Sequence, residues 1–192
     1  KFIRFHTIGT VIKGKPTMHS SVFGPVIQHA FVVRDMDAAL TYWIEVMGVG
    51  PFYQINNATY KAALYRDTPA TPGYSVALAY WDDNQIELVT PTSDNPSIYN
   101  EFLEDGHDGL LHHMCVTVQD MNEFRSNIDT TKFETLAELA LEPAGHVLYL
   151  RGAGQRWPLI EVGEFPPAIY ELFDMVKSAS EGWDGKDPIR CI

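Results

Sequence analysis

The chain has few cysteines and few basic residues. Cys115 and Cys191 are the only cysteines among its 192 residues, and they lack the C-x-x-C spacing of redox and zinc motifs. Fourteen Lys and Arg stand against 25 Asp and Glu, which gives a formal net charge of -11. Such a charge repels nucleic-acid phosphates and anionic lipid headgroups. We therefore expect neither nucleic acid nor a membrane as a partner, and a core that needs no disulfides.

Long apolar runs are also missing. No segment reaches the length that spans a bilayer, and residues 1–15 carry scattered charges where a signal peptide would have an apolar run. Together with the low cysteine count, this pattern predicts a cytoplasmic protein. Glycine and proline recur in residues 1–25, which we interpret as an N-terminal arm.

Two segments of the chain are copies of one unit. Gln28 begins the run QHAFVVRDM and His113 begins the run HMCVTVQDM, so an Asp-Met pair follows seven residues after each polar start. Each run is followed by a helical pattern and, further on, by a strand that contains a glutamate, Glu87 in the first copy and Glu161 in the second.

This repeat predicts an α+β fold built from two paired βαβββ modules. The predicted divisions are an arm at 1–25, a first module at 26–91, a linker at 92–110, a second module at 111–163, and a C-terminal helix and tail at 164–192.

Side-chain alternation within the first strand of each copy selects candidate site residues. Gln28 and Ala30 share one face of their strand, as His113 and Cys115 do, and the register makes Gln28 rather than His29 the counterpart of His113. A bulge could bring His29 to that face, but without one His29 would pack under the first helix. For His112, beside the linker, we expect a solvated side chain.

Glu87 and Glu161 lie inside apolar strands. An ionised carboxylate there is costly unless it is paired or bound to a cation. A strand with one face in water is the ordinary alternative for a single glutamate. Two glutamates at equivalent positions of a repeat favour the paired or cation-bound interpretation.

These segments resemble the vicinal oxygen chelate superfamily, which includes glyoxalase I, methylmalonyl-CoA epimerase, bleomycin-resistance proteins and extradiol dioxygenases. The resemblance covers about residues 26–163 and is most specific in the runs FVVRDMDAA, QIELV and GLLHHMCV. It implies a curved mixed sheet around a metal cleft, with one divalent ion, Zn, Mn, Co, Ni or Fe, held by two residues of each module. Carried onto this chain, the metal ligands are Gln28, Glu87, His113 and Glu161, with Glu161 also acting in catalysis.

Two departures from the family pattern qualify this resemblance. Gln28 stands where a histidine is usual, and an amide oxygen is a weaker, neutral ligand. Thr71 stands where epimerases carry a glutamate base, so we expect no epimerisation by that two-base route.

The resemblance favours a metal-dependent lyase, isomerase or ring-opening enzyme. Its substrate would be a small oxygenated carbonyl compound that reacts through a metal-stabilised enolate or oxyanion. Two alternatives stay open: a protein that binds a small molecule without turnover, as resistance proteins do, and an Fe(II) ring-cleaving dioxygenase. Pairing of modules in this family also makes a homodimer the expected assembly.

Overall fold

The computed structural model describes residues 23–142 and 144–192. All of the predicted N-terminal arm except its last three residues therefore lies outside the described residues. Eleven strands form one mixed sheet: β1 Gln28–Val32, β2 Phe52–Ile55, β3 Ala62–Tyr65, β4 Thr68–Ala70, β5 Tyr74–Trp81, β6 Asn84–Pro91, β7 Leu111–Thr117, β8 Phe133–Ala140, β9 His146–Gly152, β10 Leu159–Glu164 and β11 Ile189–Cys191.

Four helices within the described residues accompany the sheet: α1 Met36–Thr41, α2 Ile98–Glu104, α3 Met121–Asn127 and α4 Pro167–Ser180. A π-helical turn, Tyr42–Val46, continues α1. Asp35 and Asp120 cap α1 and α3 by accepting hydrogen bonds from the first turn, which explains why an Asp-Met pair recurs in both copies. None of the described helices combines the length and apolar composition needed to cross a bilayer.

The two copies of the repeat join at the centre of the sheet. The strand order is β11-β2-β5-β6-β1-β7-β10-β9-β8-β3-β4, with β1 parallel to β6 and β7 parallel to β10. The first strands β1 and β7 are antiparallel, and they pair Gln28 with Cys115 and Ala30 with His113. This register is symmetric because exchanging Gln28 with His113 and Ala30 with Cys115 reproduces it. The predicted α+β fold with two paired modules is confirmed.

The apolar rows of both first strands lie under the helices, as predicted. Val33 belongs to the core with Met36 and Leu40 of α1, and Val116 belongs to the core with Met121 of α3. The opposite face, which we call the inner face, carries the alternating partners of these residues. Paired residues of neighbouring strands point to the same side, so Gln28, Ala30, Glu87, His113 and Glu161 all belong to the inner face.

One hairpin of the first copy crosses to the second. β3 and β4 form this hairpin, and β3 pairs with β8, for example Ala63 with Leu139. Pro69 lies inside β4. It is tolerated there because β4 is the edge strand, where a proline without an N–H group breaks no ladder.

Two helices cover the inner face. Within the linker lies α2, capped by Ser97, and its Tyr99 and Phe102 pack in the core with Val147 and Leu159 of the second copy. At the other end, α4 buries Val176 against β2 and β5. The two carboxylates and His113 therefore lie on a sheet face that is largely shielded from water.

We predict that Phe102→Ala lowers the free energy of unfolding by about 3–5 kcal/mol, because Phe102 is 1 % exposed and its removal leaves a cavity under α2. Urea denaturation followed by circular dichroism measures this loss. The control Val46→Ala, at a side chain 69 % exposed, should change stability by at most about 0.5 kcal/mol. Equal effects of the two substitutions would contradict the role of α2 in the core.

Candidate metal site

Three of the four predicted ligands meet on the inner face. Nε2 of His113 lies 2.7 Å from Oε2 of Glu161 and 3.3 Å from Oε2 of Glu87. One donor atom from each of the three residues lies within 4.8 Å of the others. The side chain of His113 is fully buried, and those of Glu87 and Glu161 are 14 % and 8 % exposed.

The charge balance of this cluster requires a cation. Burial alone would lower the pKa of His113, but attraction from the nearby carboxylates of Glu161 and Glu87 raises it to about 9. Burial also raises the pKa of Glu87, and repulsion by Glu161 adds to this effect against the lowering influence of His113. A proton on His113 thus supplies the positive charge that the two carboxylates need.

The geometry also fits a metal ion. Among the described residues, Nε2 of His113 has no hydrogen-bond partner with adequate angles, although two carboxylate oxygens are close. An imidazole nitrogen and two carboxylate oxygens converge on one point instead of pairing in line. Such a donor set suits divalent ions such as Zn, Mn, Co, Ni or Fe.

Gln28, the fourth predicted ligand, lies on the same face but makes another contact. Its Nε2 donates to Oε1 of Gln85 at 2.7 Å, and both side chains are buried. Because one end of the amide is fixed on Gln85, its oxygen is turned away from Gln85. His29 is paired with Ile86 and Met114 and lies on the face that α1 covers.

His112 is not solvated, so that expectation is wrong. The pairing of β1 with β7 shifts at Ala30 and Phe31, which face His113 and Leu111, and His112 is the extra residue of a β-bulge. Alternation along a regular strand would send His112 to the face opposite His113. In the bulge both imidazoles are fully buried and their Nδ1 atoms lie 2.7 Å apart.

Buried phenols line the site beside His113. Tyr149 is paired with Glu161 across β9 and β10, and its ring packs edge-on against His113 at 5.2 Å. Its hydroxyl lies 3.1 Å from that of Tyr99 in α2. Burial, with added repulsion from Glu161, raises the pKa of Tyr149 well above its usual value, so the phenol stays protonated. The sequence offered no signal for this pair because it forms only when α2, which lies between the copies, packs against β9.

Small side chains leave room between the ligand positions. Ala30 and Cys115 occupy the equivalent inner positions of the two copies and are fully buried, as the alternation predicted. Burial raises the pKa of Cys115 well above its ordinary value. Cys115 therefore remains a neutral thiol and acts as a small apolar residue at this position.

Sequence and structure comparisons identify the family. The model of the Glyoxalase/Bleomycin resistance protein/Dioxygenase superfamily matches residues 27–147, more than half of the chain. The chain therefore belongs to this superfamily, known also as the vicinal oxygen chelate superfamily. The match includes Glu87 and His113 and ends before Glu161. The comparison with curated proteins gives no match to this sequence.

Solved structures share the fold at low identity. A hypothetical protein from Bacillus halodurans C-125 is 14 % identical, with a TM-score of 0.56 over 74 % of this chain and 94 % of that chain. Methylmalonyl-CoA epimerase from Mycobacterium tuberculosis is 16 % identical, with a TM-score of 0.52 over 81 % of this chain and 97 % of that chain. At these identities the similarity establishes the fold alone.

We predict that Glu161→Gln lowers the pKa of His113 in the metal-free protein from about 9 toward its ordinary value, because the nearer carboxylate stabilises the imidazolium. An NMR titration of the His113 imidazole measures this shift. Because the folded pKa lies above the unfolded value of about 6.5, the stabilisation is full below that pH and is lost as the pH rises through about 9.

The control for this titration is Glu138→Gln, which removes a partly exposed carboxylate that pairs with Arg125. It should leave the pKa of His113 unchanged. An unchanged pKa in Glu161→Gln would show that Glu161 does not hold the proton on His113.

Proposed function

We propose that this protein is a metal-dependent lyase, isomerase or ring-opening enzyme that acts on a small oxygenated carbonyl compound. The observation that supports this proposal is the convergence of Glu87, His113 and Glu161 on one buried point. Membership of the superfamily agrees with it, but one scaffold serves several chemistries, so the site has to carry the argument.

In this proposal Glu87, His113 and Glu161 hold one divalent ion, and the amide oxygen of Gln28 is the fourth, weaker ligand. When bound, the ion would supply a Lewis acid that polarises a carbonyl group and stabilises negative charge on oxygen. The Gln28 amide is held by Gln85, which presets the direction of its oxygen.

Glu161 and the two phenols would move protons around the reacting carbonyl group. A carboxylate beside the ion can remove a proton from the carbon next to the carbonyl. In the Tyr99–Tyr149 pair one hydroxyl donates to the other, so the second hydroxyl keeps a proton that it can donate to a developing oxyanion. Both phenols are buried, which strengthens such a hydrogen bond.

The surroundings of the phenol pair favour a small, weakly charged substrate. Tyr99 and Tyr149 line a small apolar cavity together with Ala63, Ile98 and Leu139, whereas the three proposed metal ligands do not line it. Nearby guanidinium groups are already paired: Arg66 with Glu101, and Arg156 with Asp105. An extended polyphosphate substrate would have to break such pairs.

The donor set also bears on the two alternatives. Ring-cleaving Fe(II) dioxygenases use two histidines and one carboxylate, whereas this cluster has one histidine and two carboxylates. A binding protein without turnover would share the cleft, and metal content together with activity separates it from an enzyme. The homodimer and the cytoplasmic location stay predictions from the sequence.

We predict one divalent ion per chain in protein purified without chelator, and loss of that ion in Glu87→Ala and Glu161→Ala, since each substitution removes a ligand. Elemental analysis and calorimetric titration with Zn²⁺ measure the stoichiometry. Binding at pH 7 should release about one proton, because the ion replaces the proton on His113, whose pKa is about 9.

Glu134→Ala is the matched control for the ligand substitutions, since Glu134 is an exposed glutamate that pairs with Arg151. It should retain the full complement of metal. A Glu87→Ala/Glu161→Ala double variant that keeps stoichiometric metal would exclude these glutamates as ligands.

We further predict that the metal-loaded protein does not epimerise methylmalonyl-CoA by a two-base route. Thr71 at the position expected for the second base is exposed, and its backbone oxygen accepts a hydrogen bond from Asn95. A neutral hydroxyl is a poor base near pH 7. Inversion at the α-carbon of a chiral methylmalonyl-CoA, with a methylmalonyl-CoA epimerase assayed in parallel, measures this activity. Rapid inversion would refute the expectation, and Thr71→Glu would then add little.

A further inference from the structure

His112 lies at the one irregular point of the central strand pair. As the extra residue of the β7 bulge, it stands beside His113 on the inner face, and both side chains are fully buried. Bulges often re-aim side chains next to active sites. The bulge here places two imidazoles with their Nδ1 atoms 2.7 Å apart.

The contact between Nε2 of His112 and the backbone oxygen of Ile98 determines which imidazole donates in the hydrogen bond between His112 and His113. Nε2 of His112 lies 3.3 Å from the backbone oxygen of Ile98, in the first turn of α2. A carbonyl oxygen can only accept, so Nε2 of His112 carries a hydrogen. In the neutral ring Nδ1 then has a free lone pair, which accepts from the Nδ1–H of His113.

The hydrogen bond to His112 leaves a lone pair on Nε2 of a neutral His113. A neutral imidazole has one N–H group, and the bond to His112 assigns it to Nδ1. Nε2 is then left as an acceptor facing the oxygens of Glu161 and Glu87, at 2.7 and 3.3 Å. Three lone-pair donors face one another, which is stable only around a cation.

Aromatic packing keeps the His112 ring in this orientation. Phe102 of α2 contacts it edge-on at 4.9 Å between ring centroids, and Trp157 lies against it at 5.1 Å. A rotated ring would lose the Ile98 contact and the His113 contact together.

We infer that His112 is a positioning residue of the proposed metal site: by accepting from Nδ1–H of His113 and donating to the Ile98 carbonyl, it fixes the tautomer that offers Nε2 of His113 to the ion. This inference rests on the proposed function. The same hydrogen bond forms when Nε2 carries a proton, so an ion can replace the proton without rearranging either ring. Through Ile98, the segment between the two copies becomes part of the support of the ligand.

The test compares Zn²⁺ affinity, measured by chelator competition, in His112→Phe and His112→Asn. Phenylalanine keeps the ring packing but cannot accept, so affinity should fall about 10- to 100-fold, the usual effect of losing such a support. Asparagine can place its carbonyl oxygen near the former Nδ1 and should restore most of the affinity. His107→Phe is the control, since His107 also contacts the Phe102 ring but makes no contact with His113.

A second measurement does not depend on any substitution. Nitrogen-15 NMR of the wild-type histidines should show His112 as a neutral ring protonated on Nε2, and His113 protonated on Nδ1 in the Zn²⁺-loaded protein. A purely structural role for His112 would not require this pair of tautomers, and this readout holds even if His112→Phe fails to fold.

Wild-type affinity in His112→Phe, or a proton on Nδ1 of His112, would overturn the inference while the proposed metal site stands. If the wild-type protein binds no divalent ion, the proposed function fails and the inference fails with it. The two failures are therefore distinguishable by the wild-type titration alone.

Discussion

Two buried carboxylates on either side of one imidazole nitrogen set the main constraint on this structure. Glu87 and Glu161 repel each other in a medium that screens poorly, and neither has an in-line bond to His113. A positive charge has to sit among them. The small side chains of Ala30 and Cys115 leave space at this place. The protonated phenols and the bulge of β7 lie next to it.

The symmetry of the fold explains why this constraint can be met only by both copies together. Each copy contributes one residue from its first strand and one glutamate from its last, and the antiparallel pairing of β1 with β7 brings the four positions to one place. A single copy would supply only half of the proposed ligand set. The two copies are also chemically unequal, since Gln28 has a neutral amide where the second copy has the imidazole of His113.

The sequence was sufficient for features that depend on local periodicity. The repeat predicted two βαβββ modules, and alternation separated the helix-covered row from the inner row in β1 and β7. The repeat also singled out Glu87 and Glu161, and the register of the first strands singled out His113 instead of its neighbour. The assignment of four metal ligands goes further than this geometry and stays a prediction.

Features that depend on pairing between distant segments could not be read from the sequence. The bulge at His112 arises from a register shift between β7 and β1. The sequence of β7 alone does not indicate this shift. The burial of α2 also depends on a distant segment, since Tyr99 and Phe102 pack against residues of the second copy. Their apolar character predicts that they are buried, but it does not show that they pack against the second copy.

The hairpin of β3 and β4 has a consequence for how the molecule comes apart. It leaves the first copy and completes the outer edge of the second, while β11, which follows the second copy, pairs with β2 of the first. Each half of the sheet therefore contains chain from both sides of the linker. This exchange of strands links the two halves of the repeat into one unit. Detaching either half would strip the other of a neighbour, and the halves must therefore form and unfold together.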